Sequence, residues 1–337
     1  MLRRIPLIVA AVAAASFAVA PAATAKTTDV KVMTRNVFLG ADLPPIATAQ
    51  PGAEFEAAAG ALVDTVKASD PKGRMTLMAD EIAKAKPDLV GLQEVSLYRK
   101  GPKGSPKPAK TVLWDYLGLI RKELAKRGQD YTVAAKDYGP DVEGPTNKGY
   151  DVRLTLGDVT LARKGVKVAH SRVGVFANQL AIPSPTLGDV SPGRTWNALD
   201  ATVRGAKFHF VNTHLEAYSQ PVRLAQANEL VKGPLKSKLQ TVLVGDLNSG
   251  PILSDAGDRP PYEAIAKAGF KPRRSAKNSC CFNDLAKNAG WDHNVDWIMT
   301  KPGVKLVKSS ITGREKTKSG LHPSDHGGVI SVLRLER

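Results

Sequence analysis

Cysteine, aromatic side chains and long apolar runs are all scarce in this chain of 337 residues. Cys280 and Cys281 are the only cysteines, and no CxxC pair or His/Cys cluster occurs, which argues against a structural zinc site. A disulfide between the two neighbours, two free thiols and a link to another chain are the competing interpretations. Neither a GxSxG motif nor a P-loop is present, so the sequence does not favour a serine hydrolase or a P-loop nucleotide hydrolase.

The longest apolar stretch lies at the start of the chain. Arg3 and Arg4 precede an apolar run over residues 5–20, and small residues follow at 23–25. This run is short for a membrane span, and the pattern is typical of a secretory signal peptide. We therefore predict a signal peptide over residues 1–25, with an uncleaved anchor as the alternative, and a single catalytic domain over residues 26–337. The protein is expected to be secreted, with attachment to the cell surface left open.

Basic residues outnumber acidic ones. The formal net charge is +16, and it falls to +14 when Arg3 and Arg4 leave with the signal peptide. Such a balance favours partners that carry phosphate or other anionic groups, although solubility or cell-wall association also explains it. Much of the excess lies in Lys/Pro-rich stretches such as residues 100–110, which we expect to be exposed and poorly ordered.

Short apolar runs alternate with segments of helical periodicity. Helices are expected over residues 54–68, 74–86, 112–127 and 221–232, and strands over 29–37, 88–95, 131–135, 158–163, 172–177, 195–203, 207–213, 241–245, 295–299, 304–311 and 328–335. The Arg-Gly-Ala between two of these strands, 195–203 and 207–213, is typical of an antiparallel hairpin. The mixture predicts an α/β or α+β layered fold, with helices on the outer faces of packed sheets.

Acid, amide and imidazole side chains recur at or near the ends of the strand-like runs. Any one of them is consistent with a solvated turn, but strand ends can bring several to one cleft. Oxygen ligands of this kind suit Mg²⁺, Mn²⁺ or Ca²⁺, and imidazoles donate hydrogen bonds or transfer protons near neutral pH. The set predicts metal-assisted hydrolysis of a phosphate ester. It comprises Asn36, Glu94, Asn212, His214, Asp246, Asn248, Asp296, Asp325 and His326.

Six motifs in this order resemble those of the endonuclease/exonuclease/phosphatase superfamily: TRNV, LVGLQEV, VNTHLEA, VGDLNS, NVDWIM and PSDHGGV. That superfamily includes DNase I, abasic endonucleases of the exonuclease III type, neutral sphingomyelinases and inositol polyphosphate 5-phosphatases. The resemblance extends from about residue 29 to residue 334. It implies a four-layer α/β sandwich, in which two mixed sheets face each other and helices lie outside.

The resemblance also implies a metal site. Glu94 would be the principal carboxylate ligand of Mg²⁺, with Mn²⁺ or Ca²⁺ as alternatives, and Asn36 would assist it. Asp325 would be a further ligand or would support one. Some members of the superfamily carry a second acidic ligand two residues beyond the first Asn, where this chain has Phe38, although Asp42 lies close by.

Catalytic roles follow from the same resemblance. Asp246 would align or deprotonate the attacking water, while Asn248 and His214 would contact the phosphate. His326 would stabilise the charge that develops at phosphorus, and Asp296 would fix its tautomer and orientation.

The resemblance also bears on substrate binding. Asn212 is expected to contact the substrate. Some superfamily nucleases use a Tyr between the Gln-Glu and Asn-Thr-His motifs, and Tyr138, Tyr150 and Arg153 are the candidates for that position, with Arg153 the one assigned to substrate binding.

Nucleic acid is the substrate that the charge favours, with basic stretches at 271–277 and 301–308 as candidate approaches to the cleft. A sphingomyelinase-like lipid phosphodiesterase is the alternative, for which residues 280–291 (CCFNDLAKNAGW) offer apolar side chains, although only 6% of the chain is aromatic. A small-molecule phosphomonoesterase and a catalytically silent binding protein are further alternatives. No protein partner is inferred, and a monomer is expected.

Two segments rich in small or breaker residues, 38–71 and 137–157, are expected to supply specificity or a lid. Gly327 and Gly328, which follow His326, are expected to let phosphate or another chain segment approach closely.

Overall fold

The computed structural model describes residues 26–251, 258–282, 284–287 and 290–337. The predicted signal peptide over residues 1–25 lies outside the described residues and stays a prediction. No helix among the described residues is long and apolar enough to cross a membrane.

Sixteen strands and six helices make up the described chain. In chain order they are β1 (Thr27–Asn36), α1 (Pro44–Thr48), α2 (Ala53–Ala68), α3 (Pro71–Ala85), β2 (Leu89–Pro102), β3 (Thr111–Asp115), α4 (Tyr116–Lys126), β4 (Tyr131–Lys136), β5 (Asp141–Pro145), β6 (Tyr150–Arg163), β7 (Lys167–Val175), β8 (Ile182–Ser184), β9 (Gly188–Val190), β10 (Thr195–Val203), β11 (Ala206–His214), α5 (Gln220–Lys232), β12 (Gln240–Asp246), α6 (Pro260–Lys267), β13 (Lys271–Pro272), β14 (Asp296–Thr300), β15 (Lys305–Thr312) and β16 (Gly328–Glu336).

Two large mixed sheets dominate the fold. The first has eight strands in the order β15-β16-β1-β2-β6-β4, with β3 on β2 and β5 on β6; the second has the order β13-β14-β12-β11-β10-β7. Each sheet has one parallel pair, β1 with β2 and β11 with β12, and its other pairs are antiparallel. The hairpin expected at residues 195–213 is confirmed as the β10–β11 pair.

Alternating side chains on the strands produce the layers. In β12, Val242 and Val244 pack between the two sheets, whereas Leu243 points to the opposite face and packs with residues of α5 and α6. In β1, Val32 packs between the sheets and Met33 packs with the helical cluster of α2, α3 and α4. Because successive strand residues face opposite sides, both sheets are covered on both faces. The four-layer sandwich predicted from the sequence is confirmed.

One predicted helix begins too early. The sequence predicts a helix over residues 112–127, but Thr111–Asp115 is strand β3, which pairs with β2. Helix α4 begins only after Asp115, whose carboxylate accepts a hydrogen bond from the backbone N–H of Gly118 at 2.9 Å. The segment with amphipathic periodicity therefore consists of a strand followed by a capped helix.

The stretch expected to be poorly ordered and the segment expected to supply specificity or a lid are both partly strands. Strand β2 continues to Pro102, into the Lys-rich stretch at 100–110, and pairs there with the start of β6. Within residues 137–157, β5 and the first half of β6 form an antiparallel pair. Helix α6 was not predicted from the sequence, because the Pro-rich start of this eight-residue helix resembles a turn.

Candidate active site

The topology brings the ends of five strands and the middle of β2 to one edge of the sandwich. Asn36 ends β1, and its parallel neighbour β2 carries Glu94 next to Gln93, the register partner of Asn36. His214 ends β11 opposite Asp246, which ends the parallel strand β12, and Asp246 in turn pairs with Asp296 at the start of β14. The remaining members, Asp325 and His326, immediately precede β16, which pairs antiparallel with β1. The predicted residues therefore converge because parallel strands run to the same edge and antiparallel neighbours begin there, while the irregularity at Glu94 lies on β2 level with the end of β1.

Asn36 connects the two sheets. Its Nδ2 donates to Oε1 of Glu94 at 3.0 Å and to Oδ2 of Asp246 at 3.1 Å. The backbone N–H of Leu39 donates to the other oxygen of Glu94 at 2.8 Å. Glu94 has a positive φ of 59°, at an irregularity in the β2–β6 pairing, which turns its side chain out of the regular alternation.

Asp246 lies at the centre of the cluster. Its Oδ2 is 3.5 Å from Nε2 of His214 and 3.6 Å from Nε2 of His326. Its Oδ1 accepts a hydrogen bond from the backbone N–H of Asn248 at 2.9 Å, and Asn248 Nδ2 lies 3.1 Å from Nε2 of His214. One carboxylate therefore faces both imidazoles, and its other oxygen is fixed by the turn that carries Asn248.

The acid and imidazole at 296 and 326 form a buried pair. Nδ1 of His326 lies 3.0 Å from Oδ2 of Asp296, and that oxygen also accepts a hydrogen bond from Ser279 at 2.8 Å. The backbone oxygen of Asp296 accepts from Arg274 at 2.6 Å. Because the Nδ1 side of the ring is engaged by Asp296, Nε2 is the atom that His326 presents to Asp246.

The hydroxyl of Ser324 fixes the turn that carries Asp325. The Ser324 hydroxyl donates to the carbonyl of Asn36 at 2.9 Å and to Asp325 Oδ1 at 3.1 Å. A Cβ on Gly327 would lie 2.9 Å from the ring of Trp291, so the close approach expected at this glycine is made by another part of the chain.

The cysteine pair also lies at this edge. A disulfide joins Cys280 to Cys281, which agrees with one of the three interpretations of the sequence. Sγ of Cys280 lies 3.6 Å from Nε2 of His326, so the pair lies beside the nitrogen that faces Asp246.

Burial and mutual charge shift the pKa values of three site residues. Burial raises the pKa of Glu94, and the neighbouring Asp325 carboxylate raises it further. Burial and the Arg194 guanidinium lower the pKa of His214 to about 3, which makes it a neutral imidazole at physiological pH. Burial alone would lower the pKa of His326, but the carboxylates of Asp296, Asp325 and Asp246 outweigh it and raise the pKa well above its usual value.

The donor set near Glu94 fits a hard divalent cation. Glu94 and Asp325 repel each other, and Asn36 has an amide oxygen with a second lone pair beside its hydrogen bond from Phe38. Ligand atoms of Asp246, Asp296 and His326 also lie within 4.8 Å of one another. Because Asp296 engages His326 Nδ1, we assign Asp296 to orienting the imidazole and not to binding a metal.

Two of the predicted substrate-binding residues lie elsewhere. Asn212 is completely buried between the sheets, where its Oδ1 accepts a hydrogen bond from Gln93 at 2.6 Å, so its position does not fit a substrate contact. Arg153 pairs in register with Arg99, beyond Glu94 on the extended β2–β6 ribbon, and forms an ion pair with Asp141. Gly157 pairs with Val95 next to Glu94, and Arg153 is four positions from Gly157 along β6, a distance of about 13 Å.

The two tyrosine candidates are not part of the cluster either. Tyr150 lies still further along the ribbon, opposite Pro102, with the Lys100 ammonium over its ring. Tyr138 is 54% exposed and lines a neighbouring groove.

One residue of the site was missed by the sequence analysis. Arg194, just before β10, is buried with its Nη1 3.0 Å from Nδ1 of His214 and its Nε 3.4 Å from Glu216. In the sequence, Arg194 follows Pro-Gly just before a strand. A solvated arginine has the same sequence context, so the pattern does not identify a site residue. The guanidinium lines the same cleft as the metal and catalytic candidates.

A family model for the Endonuclease/Exonuclease/phosphatase family matches residues 61–326, most of the chain. The chain therefore belongs to the Endonuclease/Exonuclease/phosphatase family. The family and its relatives are phosphoesterases and nucleases, so the chain is assigned as a hydrolase of phosphate esters. No curated protein matches the chain at a significant level.

Solved structures of this family share the fold at low sequence identity. A family protein from Bacteroides thetaiotaomicron has a TM-score of 0.59 at 16% identity and covers 93% of this chain and 97% of its own. The mannosyl-6-phosphatase of the same organism has a TM-score of 0.53 at 16% identity, with coverages of 90% and 99%. The D. rerio TDP2 protein complexed with single-strand DNA product has a TM-score of 0.52 at 17% identity, with coverages of 91% and 99%.

Proposed function

We propose that this member of the family is a secreted, divalent-metal-dependent phosphodiesterase that cleaves its substrate by in-line attack of water. The observation that carries the proposal is the position of Asp246. Its Oδ2 lies within 3.6 Å of two imidazoles, and it accepts a hydrogen bond from Asn36, which also contacts Glu94. A base, two hydrogen-bonding groups and a metal ligand set therefore surround one small space.

Each residue of this space has a distinct role in the proposed reaction. Asp246 orients the water and accepts its proton as the oxygen attacks phosphorus. His326, held by Asp296, donates from Nε2 to a phosphate oxygen on which negative charge increases. Neutral His214 and Asn248 contact a second oxygen, and Arg194 lies behind His214. The bond between phosphorus and the leaving oxygen breaks as the bond to water forms.

The proposed metal ligands are Glu94, Asn36 and Asp325. A divalent cation bound there would neutralise charge on the phosphate and stabilise the leaving oxygen. Mg²⁺ is the first candidate, because the ligands are oxygens, and Mn²⁺ and Ca²⁺ are the alternatives.

Nucleic acid is the polymer that the formal charge of +16 favours as a substrate. The distribution of that charge gives less support to a nucleic-acid substrate. Strand β15 carries the predicted basic stretch at 301–308 away from the active edge, because Lys305 pairs with Arg334 while Thr312 pairs with Gly328 beside the site. Among the described residues that line the cleft, Arg194 is the only lysine or arginine. A non-polymeric phosphodiester is therefore our first candidate, and nucleic acid is the second.

The lipid hypothesis based on residues 280–291 loses its original support. The side chains of Phe282 and Trp291 stack on each other at 5.1 Å between ring centroids and are only 5% and 6% exposed. They belong to the wall behind Asp325, whose backbone oxygen accepts from Trp291 Nε1 at 3.0 Å. They offer no exposed apolar surface for insertion into a bilayer.

Hydrolysis of bis(4-nitrophenyl) phosphate by the protein from Lys26 onward tests the reaction. Release of nitrophenolate should require Mg²⁺, stop with chelator and fall by orders of magnitude in Asp246→Asn. Supercoiled plasmid DNA in parallel tests the second candidate. Activity that is equal with and without metal, or unchanged in Asp246→Asn, would reject the proposal. Sequencing the N-terminus of protein recovered from culture medium tests secretion.

A further inference from the structure

The cleft that holds the candidate catalytic groups continues into an apolar pocket. The whole cavity has a volume of about 330 Å³, and Glu94, Asp246 and His326 lie at one end of it. The other end is enclosed by side chains of α1, β5, β6 and the β8–β9 hairpin. These are Ile46, Val142, Leu154, Ile182 and Leu187.

The apolar wall comes from the segments that the sequence analysis expected to supply specificity. Ile46 belongs to segment 38–71, and Val142 and Leu154 belong to segment 137–157. Ile46, Val142 and Leu187 are partly buried. One side of each packs against the helical core cluster, and the other side lines the cavity. Thr186 donates a hydrogen bond to the carbonyl of Ala49 at 3.1 Å and thereby ties the hairpin to the end of α1.

The charges of the cleft restrict what fits beside the phosphate. Arg194 lies at the catalytic end, next to His214, and no other lysine or arginine occurs among the described lining residues. Asp42 is the charged side chain nearest α1 in the lining. A second phosphate placed in the apolar half would therefore meet no cation and would lose its hydration. A group without charge would gain from burial there.

We infer that the pocket binds an apolar group, of aryl or short alkyl size, that is esterified to the phosphate held at the metal site. This inference rests on the proposed function and narrows its substrate class to monomeric phosphate esters with an apolar substituent. A pocket of this volume, mostly apolar with polar groups at one end, is the usual form of a small-molecule site.

Binding of phosphate monoesters of different chain length tests the inference without relying on turnover. Methyl, butyl and hexyl phosphate are titrated into the protein by calorimetry in the presence of Mg²⁺. All three carry the same dianion, so a difference in affinity reports the alkyl group. Full burial of a methylene would increase affinity about fourfold, and we expect at least about twofold per methylene. Phenyl phosphate, with the same six carbons as hexyl phosphate, distinguishes an aromatic from an aliphatic substituent.

Two variants place the binding in this pocket. Leu187→Asn on the hairpin and Ile46→Thr on α1 should each flatten the chain-length dependence and leave the affinity for methyl phosphate unchanged. Leu306→Asn is the matched control, because Leu306 is 40% exposed on β15, outside the cleft. Circular dichroism checks that each variant is folded, and the two pocket variants lie on different elements.

Several outcomes would overturn the inference. Equal affinities for methyl and hexyl phosphate would do so, as would a chain-length dependence that persists in both pocket variants. Plasmid nicking at a rate unaffected by Leu187→Asn would identify a polymer substrate that does not use the pocket. Failure of the proposed function looks different: the monoesters would bind according to chain length, but Mg²⁺-dependent hydrolysis of bis(4-nitrophenyl) phosphate would be absent.

Discussion

Oδ2 of Asp296 lies 3.0 Å from Nδ1 of His326, and the two side chains are 0% and 7% exposed. Asp296 is also the register partner of Asp246 in the β12–β14 pair, so this pairing sets the position of the imidazole relative to the proposed base. The geometry of this group therefore depends on backbone pairing as well as on side-chain contacts.

Asp296→Asn should lower kcat by roughly 10-fold to 100-fold and change KM little. The amide can still occupy the space, but it cannot stabilise the imidazolium or select the same tautomer of His326. Steady-state kinetics with bis(4-nitrophenyl) phosphate measures both constants. Ser279→Ala, which removes one hydrogen bond to the carboxylate, should have a smaller effect of the same kind. A change confined to KM would contradict the orienting role.

His326→Ala should lower kcat by about 10²-fold to 10⁴-fold, because the phosphate would lose the group that stabilises its developing charge. His170→Ala is the control, since His170 pairs with Asp200 on the surface and its side chain is 72% exposed. The comparison is made at saturating Mg²⁺, with thermal unfolding curves to verify folding. Near-normal turnover in His326→Ala would remove this residue from the mechanism.

Glu94→Gln should raise the Mg²⁺ concentration needed for half-maximal activity by about tenfold or more. The amide is nearly the same size but lacks the charge that attracts a hard cation. A metal titration of activity after dialysis against chelator provides the measurement. Glu56→Gln serves as the control, because Glu56 pairs with Lys103 on the surface. An unchanged titration would exclude Glu94 as a ligand.

Arg153→Met should lower stability and leave kcat/KM unchanged. Burial raises the pKa of Asp141, but hydrogen bonds from Arg153 and Thr155 outweigh it and hold the pKa below its usual value. A carboxyl whose pKa is lowered on folding stabilises the protein above the unfolded pKa of about 3.9, and that contribution disappears as pH falls through the folded pKa.

The loss of stability in Arg153→Met should therefore be at most about 1 kcal/mol at pH 7, for a partly exposed pair, and should shrink below about pH 4. Thermal unfolding at both pH values measures it. A fall in kcat/KM with unchanged stability would instead return Arg153 to substrate binding, as the sequence analysis proposed.

Short apolar runs predicted most strands, because both faces of each sheet are buried by other layers. Polar side chains at or near the ends of those runs identified the cluster around Asp246, although β2 continues beyond Glu94 to Pro102. Fold and cluster could therefore be predicted from local patterns together with the motif order.

Features that depend on distant pairing could not be predicted in this way. Arg194 is part of the site only because β10 places it over His214, which lies on the next strand in the sheet. Asn212 carries the same chemistry as Asn36 and Asn248 and ends the same kind of run, yet its side chain points between the sheets. The extension of β2 and β6 beyond the sandwich depends on pairing between residues about 50 positions apart, for example Lys100 with Val152.

The neighbouring positions of β1 and β16 have a consequence for the timing of activity during synthesis. Ser324 donates to the carbonyl of Asn36 across 288 positions, and the strand that follows His326 completes the sheet beside β1. A nascent chain on the ribosome can carry Asn36, Glu94 and Asp246 long before His326 has been made. In the proposed mechanism, a nascent chain that ends before residue 326 would therefore lack both the imidazole that stabilises charge on the phosphate and the strand that completes the sheet beside β1.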